Sequence, residues 1–177
     1  MKKFLMLAAF AVSAMGASAQ LWIGGNLGYD YDKSMDYDLG MKLKTHTISI
    51  SPEVGYNISD KWAFAVNLDY GFEKVVDGWS AHVLTINPYA RFTFAKAGIA
   101  SFFVDGGSEG GMEKVEGFDA TEIFGFGFQP GVALKISDHV CFVTKLGYLG
   151  FRHTDDSDRF GFGVNNEAIT FGAYYSF

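Results

Sequence analysis

The stretch ITFGAYYSF, Ile169 to Phe177, alternates strictly. Ile169, Phe171, Ala173, Tyr175 and Phe177 fall on one side of an extended chain. Thr170, Gly172, Tyr174 and Ser176 fall on the other. A period of two is the mark of a strand with different surroundings on its two faces. One face here is bulky and apolar, the other small or polar. The strand ends on an aromatic, so its surroundings must accept aromatic side chains at the strand end as well as along it.

The same pattern recurs upstream. Trp62, Phe64, Val66, Leu68, Tyr70 and Phe72 alternate with Ala63, Ala65, Asn67, Asp69 and Gly71. Ile48 to Ile58 and Phe124 to Ile136 repeat it. No amphipathic helix is legible after the first residues. The alternation predicts eight strands, near 20–29, 45–58, 62–73, 81–94, 98–107, 121–136, 140–150 and 162–177. Tight turns at 59–61, 95–97 and 137–139 alternate with longer polar segments near 30–44, 74–80, 108–120 and 151–161. Short turns at one end and long polar loops at the other describe an up-and-down barrel.

Three prolines punctuate this pattern with a shared offset. Pro52, Pro88 and Pro130 each precede a tight-turn position, Asp60, Lys96 and Asp138, by eight residues. The flanking sequences ISPEVGYNISD, INPYARFTFAK and FQPGVALKISD read as three copies of one hairpin unit. Proline donates no ladder hydrogen bond. A bulge or a missing bond is therefore expected at each.

The first 19 residues read as a secretory leader: Lys2 and Lys3, an apolar run from Phe4 to Val12, then Ala17-Ser18-Ala19. Residues 20–177 are expected to form one domain, the barrel. The apolar run is too short to span a bilayer as a helix. Loss of the two lysines takes the formal charge from −6 to −8. That acidic balance argues against nucleic acid as a partner. Cys141 is the single cysteine, so no intramolecular disulfide forms, and it reads as a small buried residue.

Bulk decides which face points out. An eight-stranded barrel has room inside only for packed side chains or one small ligand. Trp62, Phe64, Phe72, Phe126, Phe128 and Phe171 cannot all point inward. The opposite faces, rich in Gly, Ala, Ser and Asn, lack the charges of a water-facing coat. Facing lipid, the bulky set becomes the apolar band, and Tyr29, Trp62, Tyr70, Tyr175 and Phe177 supply interfacial girdles. The fold class read here is all-β, an eight-stranded antiparallel up-and-down transmembrane β-barrel, over a soluble barrel as the rival.

The terminal ITFGAYYSF, the PYARF strand and the ISD turns resemble the small OmpA/OmpX-like outer-membrane β-barrel family across residues 20–177. The resemblance implies a place in the cell outer membrane, among outer-membrane lipids and lipopolysaccharide. It implies that Phe177 is the assembly signal read by the barrel-assembly machinery. The peptidoglycan-binding domain of larger relatives is not expected.

RHTDDSD places His153 with Asp155, Asp156 and Ser157, the residue types of an acid–His–Ser site such as lipid A-modifying barrels carry. So polar a run reads more simply as a solvated loop. His46 and Ser49, three apart on a strand, face opposite ways. Asp30, Asp32, Asp36 and Asp38 offer carboxylates for Ca²⁺, without the loop glycine of an EF-hand. Gly24 with Gly25, and GGSEGG at 106–111, lack the strand-to-helix unit of a phosphate cradle and read as loop glycines. No cofactor, metal or catalytic residue is expected.

The lipid-facing register forces Glu53, Asp69, Arg91 and Lys145 inward. Asp105 and Lys135 are further candidates. Unpaired charges in a narrow lumen are costly. A network is expected in which Arg91, with its planar fork, and Lys145 neutralise Glu53 and Asp69. The function this implies is a non-enzymatic barrel with a side-chain-plugged interior, serving envelope integrity and surface-loop adhesion or partner binding. A narrow small-solute channel and a lipid A-modifying enzyme are the alternatives.

Overall fold

The computed structural model describes residues 21–36, 41–76, 78–154, 157–163 and 169–177. The leader, Asp38, Asp155 and Asp156 lie outside the described residues, as do the side chains of Asp30, Asp32, Asp36 and Ser157.

Ten β-segments follow one another: β1 (Leu21–Asp36), β2 (Met41–Asn57), β3 (Trp62–Val75), β4 (Ser80–Ala97), β5 (Ala100–Val115), β6 (Ala120–Lys135), β7 (Val140–Leu146), β8 (Tyr148–Thr154), β9 (Ser157–Gly163) and β10 (Ile169–Ser176). From β1 to β6 each strand pairs antiparallel with the next. Both β7 and β8 pair with β6, so they are two lengths of one barrel strand. Likewise β9 pairs with β8 and β10 with β7, as two lengths of the last strand. The ring closes where β10 pairs with β1. The barrel thus has eight antiparallel strands, and the expected fold class holds.

The seventh strand is interrupted for a local reason. Gly147 has φ of 70°, in the left-handed region open to glycine. Gly131 faces Lys145, whereas Phe128 faces Leu149, so the register there slips by one residue. Pro130 sits at that slip. Pro52 and Pro88 mark gentler defects. The β2–β3 ladder skips from Ile50↔Tyr70 to Glu53↔Asn67, and the β4–β5 ladder from Ile86↔Gly110 to Tyr89↔Gly107. Each proline leaves one interruption in the ladder on one side, as its missing N–H requires.

The segments expected as long loops are mostly strand. Lys33–Asp36 pairs with Met41–Lys44, and Ser108–Lys114 with Ala120–Phe126. Residues 106–111 lie in β5, so their glycines are ladder residues and not loop residues. Acidic and glycine-rich composition does not prevent pairing once a neighbouring strand has begun it. Strands of 16–18 residues, as in β1, β4 and β5, exceed the about 9–11 that a tilted transmembrane strand needs. The hairpins therefore project well past the bilayer at one end.

The other end is compact. Ile58 N–H and Ser59 N–H both donate to Trp62 O, and Ser59 Oγ accepts from Trp62 N–H at 3.1 Å. Ile136, Ser137 and Val140 repeat these bonds, with Ser137 Oγ accepting from Val140 N–H at 3.1 Å. The repeated ISD sequence thus builds the same serine-closed turn twice. Lys135 lies here, on the inward register but exposed at the rim, 2.8 Å from Asp138. Its hydrogen bond holds the exposed Asp138 carboxyl below the ordinary range. Lys135 is therefore not part of the interior network.

Trp62, Phe64, Phe126, Phe128 and Phe171 are outward and exposed. Trp22, Ala65, Tyr89, Phe103, Val143 and Tyr174 form the buried cluster inside, with Cys141 packed against it. Tyr29 and Tyr70 each hydrogen-bond the Nδ1 of a cross-strand histidine, His46 and His82, at 2.9 Å on the outer face.

This topology has a direct test. In a Cys141→Ser background on intact cells, a membrane-impermeant maleimide should label Phe118→Cys at a long hairpin and spare Asp138→Cys until the cells are permeabilised. The opposite labelling would place the compact turns outside.

Candidate functional site

The inward face of each strand carries small residues over most of its length, which leaves room for a few large ones. Near the compact end Trp22 from β1 stacks on Tyr174 from β10, ring centroids 4.4 Å apart and planes 20° apart. Glycines make the space: a Cβ at Gly55 would run into the Trp22 ring, and one at Gly24 into the Tyr174 ring. Phe103 from β5, only 1% exposed, fills the remaining width.

Arg91 lies on this aromatic floor. Its guanidinium carbon is 3.8 Å from the Phe103 ring centroid, and its edge faces the hydroxyls of Tyr89 and Tyr174 at 3.3 and 3.4 Å. A desolvated guanidinium over a ring face gains cation–π attraction. Arg91 and Asp105 are ladder partners on β4 and β5. That places the fork squarely on the carboxylate: Nε donates to Oδ1 at 2.7 Å and Nη2 to Oδ2 at 2.8 Å. The pair is bidentate, the strongest geometry such groups adopt.

Lys145 reaches the same cluster from β7. Its Nζ is 3.2 Å from Glu53 Oε2 and 3.3 Å from Asp105 Oδ2. Tyr89 donates its hydroxyl to Glu53 Oε1 at 2.6 Å, and Asn67 Nδ2 donates to Oε2 at 3.3 Å. Glu53 on β2 and Lys145 on β7 have no shared ladder, so this bridge crosses the lumen. Two cations face two carboxylates, all four residues are buried, and the charges balance.

The network differs from the expected one in its partners. Glu53, Arg91 and Lys145 do meet, but Arg91 pairs with Asp105 and with neither Glu53 nor Asp69. Asp69 has no ion-pair partner among the described residues and instead accepts from Asn87 Nδ2. The reason is position. Asp69 faces Thr85 across the β3–β4 ladder, farther toward the long hairpins than Ala63, which faces Arg91. The turn expected at 95–97 lies two residues later, at Gly98 and Ile99 between the partners Ala97 and Ala100, with a bulge between Thr93 and Ala95. A turn centred on residue 96 would set Arg91 opposite Ser101, so the Asp105 partnership was not legible from sequence.

Above the network the lumen opens into a cavity of about 800 Å³ that faces the long hairpins. Asn67, Asp69, Glu73, Asn87 and Glu109 line it, with Tyr89, Asp105 and Lys145 as its floor. Glu109 is held by Arg152 at 3.0 Å.

The other singled-out residues stay apart from this site. His46 bonds Tyr29 outside, while Ser49 lines the lumen. His139 Nδ1 lies 2.9 Å from Ser176 O at the compact end. His153 Nδ1 is 2.6 Å from Asp158 Oδ1 on an exposed hairpin. Among the described residues no group of three or more His, Cys, Asp or Glu side chains is arranged to hold a metal ion.

A closed barrel with aromatic and aliphatic side chains outward and its charges gathered inside defines an integral outer-membrane protein. The family described as "Outer membrane protein beta-barrel domain" matches residues 4–177, and the chain belongs to that family and resides in the outer membrane. Neisserial surface protein A has a similar structure, with a TM-score of 0.55 and 16% identity over 90% of this chain and 96% of that one. Ail of Yersinia pestis, in a phospholipid bilayer nanodisc, gives a TM-score of 0.44 and 15% identity over 90% of this chain and 100% of that one. No curated protein matches the chain in sequence.

Removing Arg91 should strand Asp105 in the lumen. Arg91→Met is expected to destabilise the folded barrel by about 3–5 kcal/mol, read from urea unfolding in phospholipid vesicles. Asp69→Asn, which breaks no ion pair, should change stability far less. Equal effects for the two variants would remove the distinction between plug and chamber.

Proposed function

We propose that this protein is a non-enzymatic, non-conducting outer-membrane barrel that supports envelope integrity and presents its long hairpins to a partner. The observation that carries this reading is the Arg91 layer. Arg91, Asp105, Lys145 and Glu53 span the lumen, and Trp22, Tyr174 and Phe103 lie beneath them. Each polar group in that layer is already engaged by another, which leaves none poised for catalysis. The apolar outer band suits outer-membrane lipids, including lipopolysaccharide. The half-exposed Phe177, whose N–H donates to Leu21 O at 3.1 Å across the closing seam, suits recognition by the barrel-assembly machinery. Nucleic acid has no counterpart on so acidic a chain.

A narrow solute channel is the second reading, favoured by the open 800 Å³ cavity. It would require the floor to move. In planar bilayers the purified protein should give no single-channel steps above background; steady steps would make it a channel. Expression should leave the mass of lipid A unchanged, and a mass shift would make it an enzyme. Deleting Phe177 should lower the inserted fraction in cells while the protein that does insert keeps its unfolding midpoint. Undiminished insertion would remove the assembly role.

A further inference from the structure

The outer wall carries one arrangement twice, at its long-hairpin end. On the β1–β2 hairpin His46 faces Tyr31 across the ladder. The Tyr29 hydroxyl is 2.9 Å from His46 Nδ1, and the Tyr31 ring lies 5.0 Å from the imidazole at 42°. On the β3–β4 hairpin His82 faces Phe72. The Tyr70 hydroxyl is 2.9 Å from His82 Nδ1, and the Phe72 ring lies 4.9 Å away at 43°. A lysine then follows each histidine as its partner on the next ladder, Lys74 beside His46 and Lys114 beside His82. Each lysine Nζ donates to a carbonyl four residues on, Gly78 O at 2.8 Å and Phe118 O at 2.5 Å.

These two rows lie at the level of lipid head groups. From Trp62 to Phe72, β3 covers the about 9–11 residues that a tilted transmembrane strand needs, and Lys74 is the next outward position. Charge is sorted by face here. His46, Lys74, His82 and Lys114 fall on the outward register, whereas Asp69 and Glu73 fall on the inward one. The nearest acids on this wall are Glu116, which accepts from Ser80 Oγ at 2.9 Å, and Glu122, opposite Met112. A phenol O–H that donates to Nδ1 keeps the imidazole proton on Nε2. Each row thus presents an imidazole N–H together with the remaining hydrogens of an ammonium. His46 and His82 are two strands apart and offset by two residues, which sets them about 12 Å from each other.

Below Lys114 the outward positions of β5 are Gly110, Ser108 and Gly106. Exposed Leu84 and Ile86 of β4 flank them on one side, and exposed Phe124 and Phe126 of β6 on the other. A shallow apolar lane therefore descends from the second row, and a Cβ at Gly110 would meet nothing within 4 Å.

We propose that this wall binds one lipid whose head carries two phosphates, the diphosphoryl head of lipid A. One phosphate sits at each His–Lys row and an acyl chain lies in the β5 lane. Two matching rows about 12 Å apart suit one head with two separated anions, and basic side chains at head-group level attract anionic lipid. The proposal rests on the reading that the outer band meets lipopolysaccharide. A barrel that inserted normally but showed no preference among head groups would overturn the proposal and leave that reading standing.

The protein in a neutral detergent, mixed with diphosphoryl lipid A and observed by native mass spectrometry, should retain one lipid per barrel. Monophosphoryl lipid A and phosphatidylglycerol, with one phosphate each, should need about fivefold more lipid for the same occupancy. Lys74→Met and Lys114→Met should each weaken retention about fivefold. Lys61→Met, which removes the same charge at the compact end, should leave it unchanged. Gly110→Phe should fill the lane and weaken retention too. These substitutions lie outside the lumen, so the urea midpoint should stay that of the parent protein. Equal retention of phosphatidylglycerol, or an equal loss in Lys61→Met, would overturn the two-phosphate site. Retention unchanged in Gly110→Phe would overturn the lane.

Discussion

The bidentate contact between Arg91 and Asp105 is the constraint around which the lumen is arranged. Two charges taken out of water cost several kcal/mol each unless they are paired with good geometry. A ladder pairing supplies that geometry here, because the two Cα atoms are fixed opposite each other by the β4–β5 hairpin. Once the guanidinium is placed, its remaining surface needs cover. Phe103 takes one face, and the hydroxyls of Tyr89 and Tyr174 take the edge. Asp105 still has acceptor capacity, which Lys145 uses, and Lys145 then brings in Glu53 from the opposite wall. The plug grows outward from one pair.

Placing that layer near the compact end divides the lumen in two. Below it the interior is filled by apolar and aromatic side chains. Above it the walls are Gly, Ser, Thr and Asn, which cannot fill an eight-stranded cross-section. A polar chamber is the necessary result. Among the described residues Arg91 and Lys145 are paired lower down and Arg152 at the rim, and Asp69 is met by the Asn87 amide instead of a cation. Polarity inside and bulk outside are one decision, since a strand with period two cannot change one face without fixing the other.

Much of this was legible in the sequence. The alternation at Trp62–Phe72 and Ile169–Phe177 gave the strands, the lipid-facing register and the inward charges, because side-chain direction follows from parity alone. Pro52, Pro88 and Pro130 marked their own ladder interruptions, because the missing N–H is a property of the residue. Partnership within the lumen was not legible. Glu53 and Lys145 are 92 positions apart, and only the curvature of the closed sheet brings them together. Strand length was missed where Asp, Glu and Gly made segments such as 108–120 look like loops. Composition reports the solvent around a segment, and a hairpin projecting into water keeps its ladder while wearing a loop's residues.

The closing seam explains why the largest aromatics sit where they do. Among the described residues sixteen rows join β1 to β2, whereas five join β1 to β10. So short a ladder holds the ends of the barrel with few backbone hydrogen bonds. Trp22 and Tyr174 project inward from its two sides and stack directly across it. Such a stack adds about 0.5–1.5 kcal/mol beyond area burial, and Arg91 approaches both rings, at 5.7 and 5.4 Å. The seam is thus pinned by side chains where the backbone gives least. Gly24 and Gly55 are the corresponding concession, because side chains there would occupy the space of the two rings. The pin extends only as far as the plug. Among the described residues the ladder and the stack both lie level with the plug, so the closing seam is held most firmly where the lumen is filled.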